Sequence, residues 1–366
     1  MSPAPPPEAM PRVRWWNMAW VTPQYPRYQV DKAGNTLLDI GCSGEELARA
    51  LDVIDNWRSS HGYPLQCLKM TLINRAEKLR YPVIVAQRLK RLLSIQEKLM
   101  ANKNMKLSKM HDIGGCRAVV RTVADVERLV LLYEKSAAKN PAKRAEFVKK
   151  YDYITQPKVD GYRSVHLVYK YRTASAKHAA FNGLRIEIQI RSRLQHAWAT
   201  AVETVSTFTG RSIRSTVGDA NWKRFFTLMG SAIALKERRP LVPETPMNPA
   251  ELVAEISALS SQLQIEKVLR QWGAAVQLLT EHPPEADAYL LVLDTENMTM
   301  RISAYQQNQR LAATQEYSRV EKEITGGSKS QAVLVSVSSV RDLRRAYPNY
   351  FLDTSVFINA VNQAIR

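Results

Sequence analysis

Basic and aromatic residues are concentrated in one short segment of this 366-residue chain, YDYITQPKVDGYRSVHLVYKY, which covers residues 151–171. Lys158, Tyr162 and His166 lie on or beside a turn between two segments that read as strands. Such a loop can hold phosphates with its cations and backbone amides while an aromatic ring lies flat against a base. The segment therefore indicates a site for a phosphorylated, base-containing ligand.

A second strand-like run, RIEIQIRS, covers residues 185–192 and alternates polar with apolar residues. Successive side chains of a strand point to opposite faces, so Glu187, Gln189 and Arg191 are expected to share one face. A carboxylate beside arginine, next to a basic loop, favours metal-dependent chemistry on nucleotides.

The positive charge of the chain is concentrated in its N-terminal two thirds. Residues 1–249 contain 41 Lys and Arg against 21 Asp and Glu, a net charge of +20. Residues 250–366 contain 11 against 13, a net charge of −2, and the two parts together give the +18 of the whole chain. The first part is therefore the one expected to meet phosphates.

Cysteine usage and hydropathy predict a cytoplasmic protein. The three cysteines have no metal-like spacing, which argues against a structural zinc site and for a reducing compartment. No apolar run approaches the ~20 residues that a membrane span needs, so we expect no membrane association. The N-terminal sequence has prolines where a signal peptide would have its apolar core.

The order of helix-like and strand-like segments predicts an α+β protein with two domains. A mixed β-sheet flanked by helices is expected over residues 44–237, and a smaller α+β domain over residues 250–366. The proline-rich stretch RRPLVPETPMNP, residues 238–249, is predicted to be the linker between them. Residues 1–43 are predicted to be an irregular arm containing Pro and Trp. The charged run KNPAKRAEFVKK, residues 139–150, is interpreted as a solvated helix end or as a rim that binds phosphate.

Four segments of the chain, in this order, resemble the synthetase domain of RelA/SpoT homologues. They are RLKRLLSIQEKL (residues 88–99), DIGGCRAVV (112–120), PKVDGYRSVH (157–166) and RIEIQIRS, and they lie within residues 45–235. The resemblance implies a nucleotidyltransferase-like fold and pyrophosphate transfer. In that reaction the β,γ-diphosphate of ATP moves to the 3′-hydroxyl of an acceptor, with Mg²⁺ as cofactor and AMP as the second product.

The resemblance also implies roles for individual residues. Asp112 and Glu187 match the two essential carboxylates, which are expected to be catalytic and to hold Mg²⁺, and Tyr162 matches the aromatic residue that stacks on a base. Mg²⁺ prefers carboxylate and phosphate oxygens, and cations supply the remaining counter-charge. The other matching residues are expected to bind substrate: Arg88, Lys90, Ser94, Lys98, Lys158, His166, Gln189 and Arg191.

The chain departs from the family pattern in three places: at the two positions that follow, and in having no evident regulatory ribosome-binding tail. Asp160 stands where asparagine is usual before Gly-Tyr, and Glu203-Thr204 stands where the family has Glu-His. Plainer interpretations also exist. The cations of residues 88–98 could line a solvated helix face, and His166 could be a structural histidine.

The dipeptide His111-Asp112 also occurs in metal-dependent phosphohydrolases. The preceding residues contain one other histidine, His61, which is too few for a multi-histidine metal site. We therefore expect no hydrolase activity.

The acceptor remains open at the level of sequence. The leading hypothesis is a synthetase that makes (p)ppGpp from ATP and GDP or GTP. The alternatives are a toxic synthetase that modifies the 3′ end of tRNA, an enzyme with an adenine-nucleotide acceptor, and a catalytically inactive RNA-binding or regulatory module. Residues 250–366 are expected to restrain the catalytic part, to bind a regulatory protein or to mediate homo-oligomerisation.

Overall fold

The computed structural model describes residues 20–139, 145–209, 220–275, 277–278, 283–325, 330–337, 340–351 and 353–366. Its helices are α1 (Arg27–Thr36), α2 (Gly44–Ser60), α3 (Gly62–Ala76), α4 (Leu92–Ala101), α5 (Val123–Lys139), α6 (Arg193–Thr209), α7 (Ala220–Glu237), α8 (Pro249–Gln262), α9 (Ile265–Ala275), α10 (Arg310–Thr325), α11 (Val340–Ala346) and α12 (Ser355–Ala364). Its strands are β1 (Ile84–Leu89), β2 (Gly114–Val120), β3 (Ala145–Asp152), β4 (Val165–Tyr171), β5 (Arg185–Ser192), β6 (Gln277–Leu278), β7 (Ala288–Asp294), β8 (Thr299–Tyr305) and β9 (Ser330–Ser336).

All of these strands belong to a single mixed sheet in the order β3-β4-β5-β2-β1-β9-β7-β8-β6. The pairs β2–β5 and β6–β8 are parallel, and the other neighbours are antiparallel. The predicted α+β class with a mixed sheet flanked by helices is therefore confirmed.

The pairing of β1 with β9 joins the N-terminal and C-terminal parts of this sheet. It places Gln87 opposite Ser336 and Arg88 opposite Val335. The strands of residues 288–336 thus extend the sheet that carries the motif strands β1, β2 and β5. The division at residues 238–249 into two domains stays a prediction.

Helices cover both faces of the motif strands. On one face, apolar residues of α3 and α5 pack on β2, β4 and β5, and Ile186, Ile188 and Ile190 of β5 belong to that core. On the other face, α6 contacts β2 and β5, and α11 contacts β1. Because side chains alternate along a strand, Glu187, Gln189 and Arg191 lie on the α6 and α11 face, which we call the site face.

The helix α2 begins with a capping box that its sequence encodes. The Ser43 side chain accepts a hydrogen bond from the Glu46 amide, and the Glu46 carboxylate accepts one from the Ser43 amide. These two bonds satisfy backbone donors that the first helical turn leaves unpaired. Among the described helices, none is both long enough and apolar enough to cross a membrane.

Two local predictions were wrong. Within the arm predicted to be irregular, residues 27–36 form α1, because Val30, Ala33 and Leu37 recur at helical spacing and are buried against other helices. Residues 1–19 of that arm lie outside the described residues.

The charged run at residues 139–150 also differs from its predicted helix end. Residues 145–152 form β3, an edge strand that pairs antiparallel with β4. Here pairing with β4 outweighs the weak local preference of a Lys-rich sequence. Residues 140–144 lie outside the described part of the chain.

Candidate active site

The two carboxylates singled out by the sequence face one narrow cavity. Asp112 precedes β2, and Glu187 of β5 lies opposite Gly115 of β2 in the parallel register. We call this space the Asp112 cavity, and its lining residues are Arg88, Lys90, Asp112, Gly115, Cys116, Arg117, Glu187, Gln189 and Tyr347. Its volume is about 20 Å³, which is room for about one water molecule.

Two lysines hold the Asp112 carboxylate. Lys90 Nζ lies 2.8 Å from Asp112 Oδ2, and Lys98 Nζ lies 2.8 Å from Oδ1. Burial alone would raise the pKa of Asp112, but the two ammonium groups hold this pKa well below its usual range. Asp112 is therefore ionised at neutral pH, and each of its oxygens has a cationic partner.

Glu187 belongs to a closed ring of hydrogen bonds with His166, Tyr162, Arg191 and Gln189. Glu187 Oε1 lies 3.0 Å from His166 Nδ1, and His166 Nε2 lies 2.7 Å from the Tyr162 hydroxyl. Arg191 Nη2 donates to the Tyr162 hydroxyl at 2.6 Å and to Gln189 Oε1 at 2.9 Å. Gln189 Nε2 closes the ring by donating to Glu187 Oε2 at 2.7 Å.

The ring fixes the charge states of its titratable members. Burial raises the pKa of Glu187, but His166 and Gln189 outweigh burial and lower this pKa below its ordinary value. Burial lowers the pKa of His166, but Tyr162 and Glu187 outweigh burial and raise it. The result is an ionised Glu187 beside His166, which gains a proton more readily than an ordinary histidine.

The loop before β4 is docked against α7. Gly161 has a φ of 85°, and a Cβ atom there would lie 2.9 Å from the Phe226 carbonyl oxygen. Asp160 Oδ1 accepts a hydrogen bond from the Tyr162 amide, which an asparagine oxygen would also do. The replacement of asparagine by Asp160 therefore preserves the turn.

Docking of the loop leaves the Tyr162 ring only 3% exposed. The ring contacts Tyr153, His166 and Trp198 edge-on, with centroids 5.6–6.3 Å apart. Lys158 is exposed and places its Nζ 4.4 Å from the Tyr153 ring centroid. In this conformation a base cannot reach the face of Tyr162 unless the loop moves, so the stacking role stays a prediction.

Ser94 is the one predicted substrate residue that lies apart from these groups. It lines a crevice between α4, α10 and β9, together with Arg91 and Gln331. Its assignment to the ATP-binding run therefore rests on the sequence resemblance.

Three residues of the site were missed by sequence reasoning. Arg117 of β2 lines the Asp112 cavity, and its buried Nε has no hydrogen-bond partner among the described residues. Burial raises the pKa of Glu203, but Arg88, Arg117 and neighbouring arginines outweigh burial and lower it. Tyr347 donates a hydrogen bond to the Gln87 carbonyl at 3.2 Å and lines the cavity.

The strand alternation in GGCRAVV could have located Arg117 on the site face, since Cys116 and Ala118 belong to the opposite core. No sequence signal places Tyr347 there, because 260 positions separate it from Gln87. Within the described residues, no group of three or more His, Cys, Asp or Glu side chains could hold a metal ion. A metal at Asp112 and Glu187 would therefore need ligand oxygens from a substrate.

The ring of hydrogen bonds around Glu187 predicts a change in the pKa of His166 that NMR can measure. In Glu187→Gln the pKa of His166 should fall, because the carboxylate that stabilises the imidazolium is lost while burial remains. A pH titration of the histidine ring signals would follow His166, with His178 as a control in the same sample. An identical His166 pKa in both proteins would contradict the coupling.

Known proteins provide an independent comparison. A family model described as "Region found in RelA / SpoT proteins" matches residues 87–208. The chain is 31% identical over 119 residues to the GTP pyrophosphokinase YwaC of Bacillus subtilis (strain 168). That match covers 31% of this chain and 52% of YwaC, so the chain spans about half the length of this curated relative.

Two solved structures are also similar. A GTP pyrophosphokinase family protein from Streptococcus pneumoniae is 26% identical, with a TM-score of 0.38, over 48% of this chain and 85% of its own. The small alarmone synthetase 1 of Bacillus subtilis bound to pppGpp is 24% identical, with a TM-score of 0.41, over 53% and 94%. Because both TM-scores are below 0.5, the family match rests on sequence. Residues 87–208, which include Arg88, Asp112, Tyr162 and Glu187, are therefore similar to a region found in RelA/SpoT proteins.

Proposed function

We propose that the chain is a Mg²⁺-dependent pyrophosphokinase. It would transfer the β,γ-diphosphate of ATP to the 3′-hydroxyl of GDP or GTP, and the products would be (p)ppGpp and AMP. The observation that carries this proposal is the Asp112 cavity, where two ionised carboxylates face Arg88, Lys90 and Arg117. The RelA/SpoT region and the similarity to a GTP pyrophosphokinase support the choice of reaction.

The residues present fit a magnesium ion. Asp112 and Glu187 are hard oxygen donors that stay ionised at neutral pH, and donor phosphates would complete the coordination. Bound Mg²⁺ neutralises phosphate oxygens and aligns the leaving group in phosphoryl transfer. Such a two-carboxylate site agrees with the lack of a larger ligand cluster in the described part of the chain.

The cations of the site are placed to receive phosphates. Lys90 and Lys98 now neutralise Asp112, so a metal on that carboxylate would free both ammonium groups for phosphate oxygens. The unpartnered Arg117 Nε is a further donor. These groups would offset charge that develops on the transferred diphosphate.

Glu187 suits either of two roles at the acceptor. It could ligate the metal, or it could accept the proton of the attacking 3′-hydroxyl. Both roles need an ionised carboxylate with a fixed orientation. The hydrogen bonds to His166 and Gln189 favour the ionised state and fix the orientation.

A second candidate acceptor is the 3′ end of tRNA. The net charge of +20 on residues 1–249 favours an extended polyanion more than a mononucleotide requires. The exposed Lys158 at the loop and the Lys149 and Lys150 side chains of β3 contribute to this charge.

The reaction and its acceptor are tested by incubating the protein with γ-³²P-ATP and Mg²⁺. GDP, GTP, ADP, ATP and bulk tRNA are supplied in separate reactions. We expect label in a guanosine product, whereas label in tRNA would establish the second candidate. Glu187→Gln should lower the rate by at least about 100-fold, and Glu97→Gln, an exposed carboxylate on α4, should not. Transfer by Glu187→Gln at the parent rate would contradict the proposed mechanism.

We infer that this reaction takes place in the cytoplasm. Cys42, Cys67 and Cys116 are free thiols, as is usual in a reducing compartment. The nucleotide substrates are available there.

We further propose that residues 250–366 restrain the catalytic part through Tyr347. The Tyr347 side chain lines the Asp112 cavity, and Arg117 donates to the adjacent Ala346 carbonyl at 3.2 Å. A cavity of about 20 Å³ is far below the roughly 300 Å³ that small-molecule sites need. Nucleotide binding would therefore require Tyr347 to move, and a protein partner or a second copy bound to residues 250–366 could cause that movement.

Replacement of the Tyr347 side chain tests this restraint. Tyr347→Ala should raise the transfer rate at low ATP by roughly ten-fold or more, because it removes a side chain that lines the cavity and that makes no hydrogen bond to Asp112 or Glu187. Steady-state kinetics would compare it with Tyr347→Phe, which keeps the ring, and with Phe351→Ala, which removes a nearby ring outside the cavity. Equal rates for Tyr347→Ala and the parent would remove the regulatory proposal.

A point substitution is a cleaner test than truncation after residue 249. Leu252, Ile256 and Phe357 pack into the same core as Phe225 and Phe226 of α7. Truncation would uncover that core and the β1 edge that pairs with β9.

A further inference from the structure

A buried ion pair joins the C-terminal part of the chain to the segment that carries Lys90. Arg58 of α2 and Glu321 of α10 are 2% and 6% exposed, and Arg58 Nη2 lies 2.5 Å from Glu321 Oε2. Arg58 also donates to Asp55, and its guanidinium lies 5.2 Å from the centre of the Tyr317 ring. Tyr317 in turn donates to Glu321 Oε1 at 2.9 Å.

Both members of the pair bond to the backbone of the β1–α4 connection. Arg58 Nε donates to the Lys90 carbonyl oxygen at 3.0 Å. Glu321 Oε1 accepts a hydrogen bond from the Leu92 amide at 2.9 Å. Leu92 is the first residue of α4, and the side chain of the N-cap residue Arg91 makes no capping hydrogen bond to this helix. Glu321 thus supplies, from a distant part of the sequence, the carboxylate that a helix N-terminus favours.

The other side of the same connection is held by β2. The Lys90 amide donates to the Ile113 carbonyl at 2.8 Å, and the Lys90 side chain reaches Asp112. Lys98 reaches Asp112 from one turn before the end of α4. The position of both lysines relative to Asp112 therefore depends on where Arg58 and Glu321 hold residues 90–92.

We propose that Arg58 and Glu321 are positioning residues for ATP binding. They act through the backbone of Lys90 and Leu92 and do not line the Asp112 cavity themselves. The inference rests on the proposed use of ATP as donor. It gives residues 250–366 a supporting role in addition to the restraint by Tyr347, so complete removal of that part should weaken ATP binding.

The test measures binding of a non-hydrolysable ATP analogue with Mg²⁺ by calorimetry, together with the KM values for ATP and for the acceptor. All proteins are full-length and carry Tyr347→Ala, so that the cavity is open. Glu321→Gln removes the negative charge that pairs with Arg58 and leaves only a neutral acceptor for the Leu92 amide, so it should weaken analogue binding and raise the KM for ATP by about ten-fold. The KM for the acceptor should stay unchanged. Glu323→Gln, an exposed carboxylate on the same helix, is the matched control.

A second variant keeps the test valid if the single substitution unfolds the protein. Replacement of both charges, Arg58→Met with Glu321→Leu, removes the whole buried pair and leaves only Asp55, whose side chain is 20% exposed, without its arginine; such replacements often preserve folding. It still removes the bonds to Lys90 and Leu92, so it should weaken analogue binding to a similar extent. Analogue binding equal to that of the background protein in both variants would overturn the positioning role. Failure of both the parent and the folded Tyr347→Ala protein to bind the analogue would instead overturn the proposed use of ATP, and this inference with it.

Discussion

The site depends on neighbouring groups that stabilise the negative charges of two buried carboxylates facing one cavity. An ionised carboxylate taken out of water without partners would gain a proton, so each needs cations or hydrogen bonds nearby. Asp112 has Lys90 and Lys98, and Glu187 has His166 and Gln189. These partners come from the β1–α4 connection, α4, β4 and β5, so the sheet and this connection must hold their positions for the site to exist.

Compensation by lysine also suits a site that exchanges ions. Without a ligand, the ammonium groups of Lys90 and Lys98 neutralise Asp112. Once a divalent cation binds that carboxylate, the same ammonium groups can neutralise phosphates. The site can therefore remain stable without ligands and still present positive charge when a nucleotide arrives. A hydrophobic replacement of these ion pairs would preserve packing but would lose this exchange.

The C-terminal part of the chain contacts this site in two opposing ways. Tyr347 lines the cavity that Asp112 faces, whereas Glu321 holds the backbone on which Lys90 and α4 depend. Both contacts come from elements that extend or cover the same sheet, through β9, α10 and α11. A movement of α11 alone would open the cavity while leaving the support by α10 in place.

Sequence reasoning succeeded where the determining interactions are local. The alternation of RIEIQIRS placed Glu187, Gln189 and Arg191 on one face, as the core position of the intervening isoleucines confirms. It failed where distant segments decide the structure. The strand β3 forms through pairing with β4. Tyr347 bonds to Gln87, and Glu321 bonds to Leu92, across more than 200 positions. The buried state of Tyr162 likewise depends on docking against α7, which the loop sequence does not encode.

If Asp112 holds a metal ion beside ATP, the binding of an ATP analogue should depend on Mg²⁺ through this carboxylate. Calorimetry would compare Tyr347→Ala with the same protein carrying Asp112→Asn, each with and without Mg²⁺. The account predicts that Mg²⁺ strengthens binding in the first protein and has little effect in the second, where Lys90 and Lys98 are no longer neutralised. An equal gain from Mg²⁺ in both proteins would contradict the account.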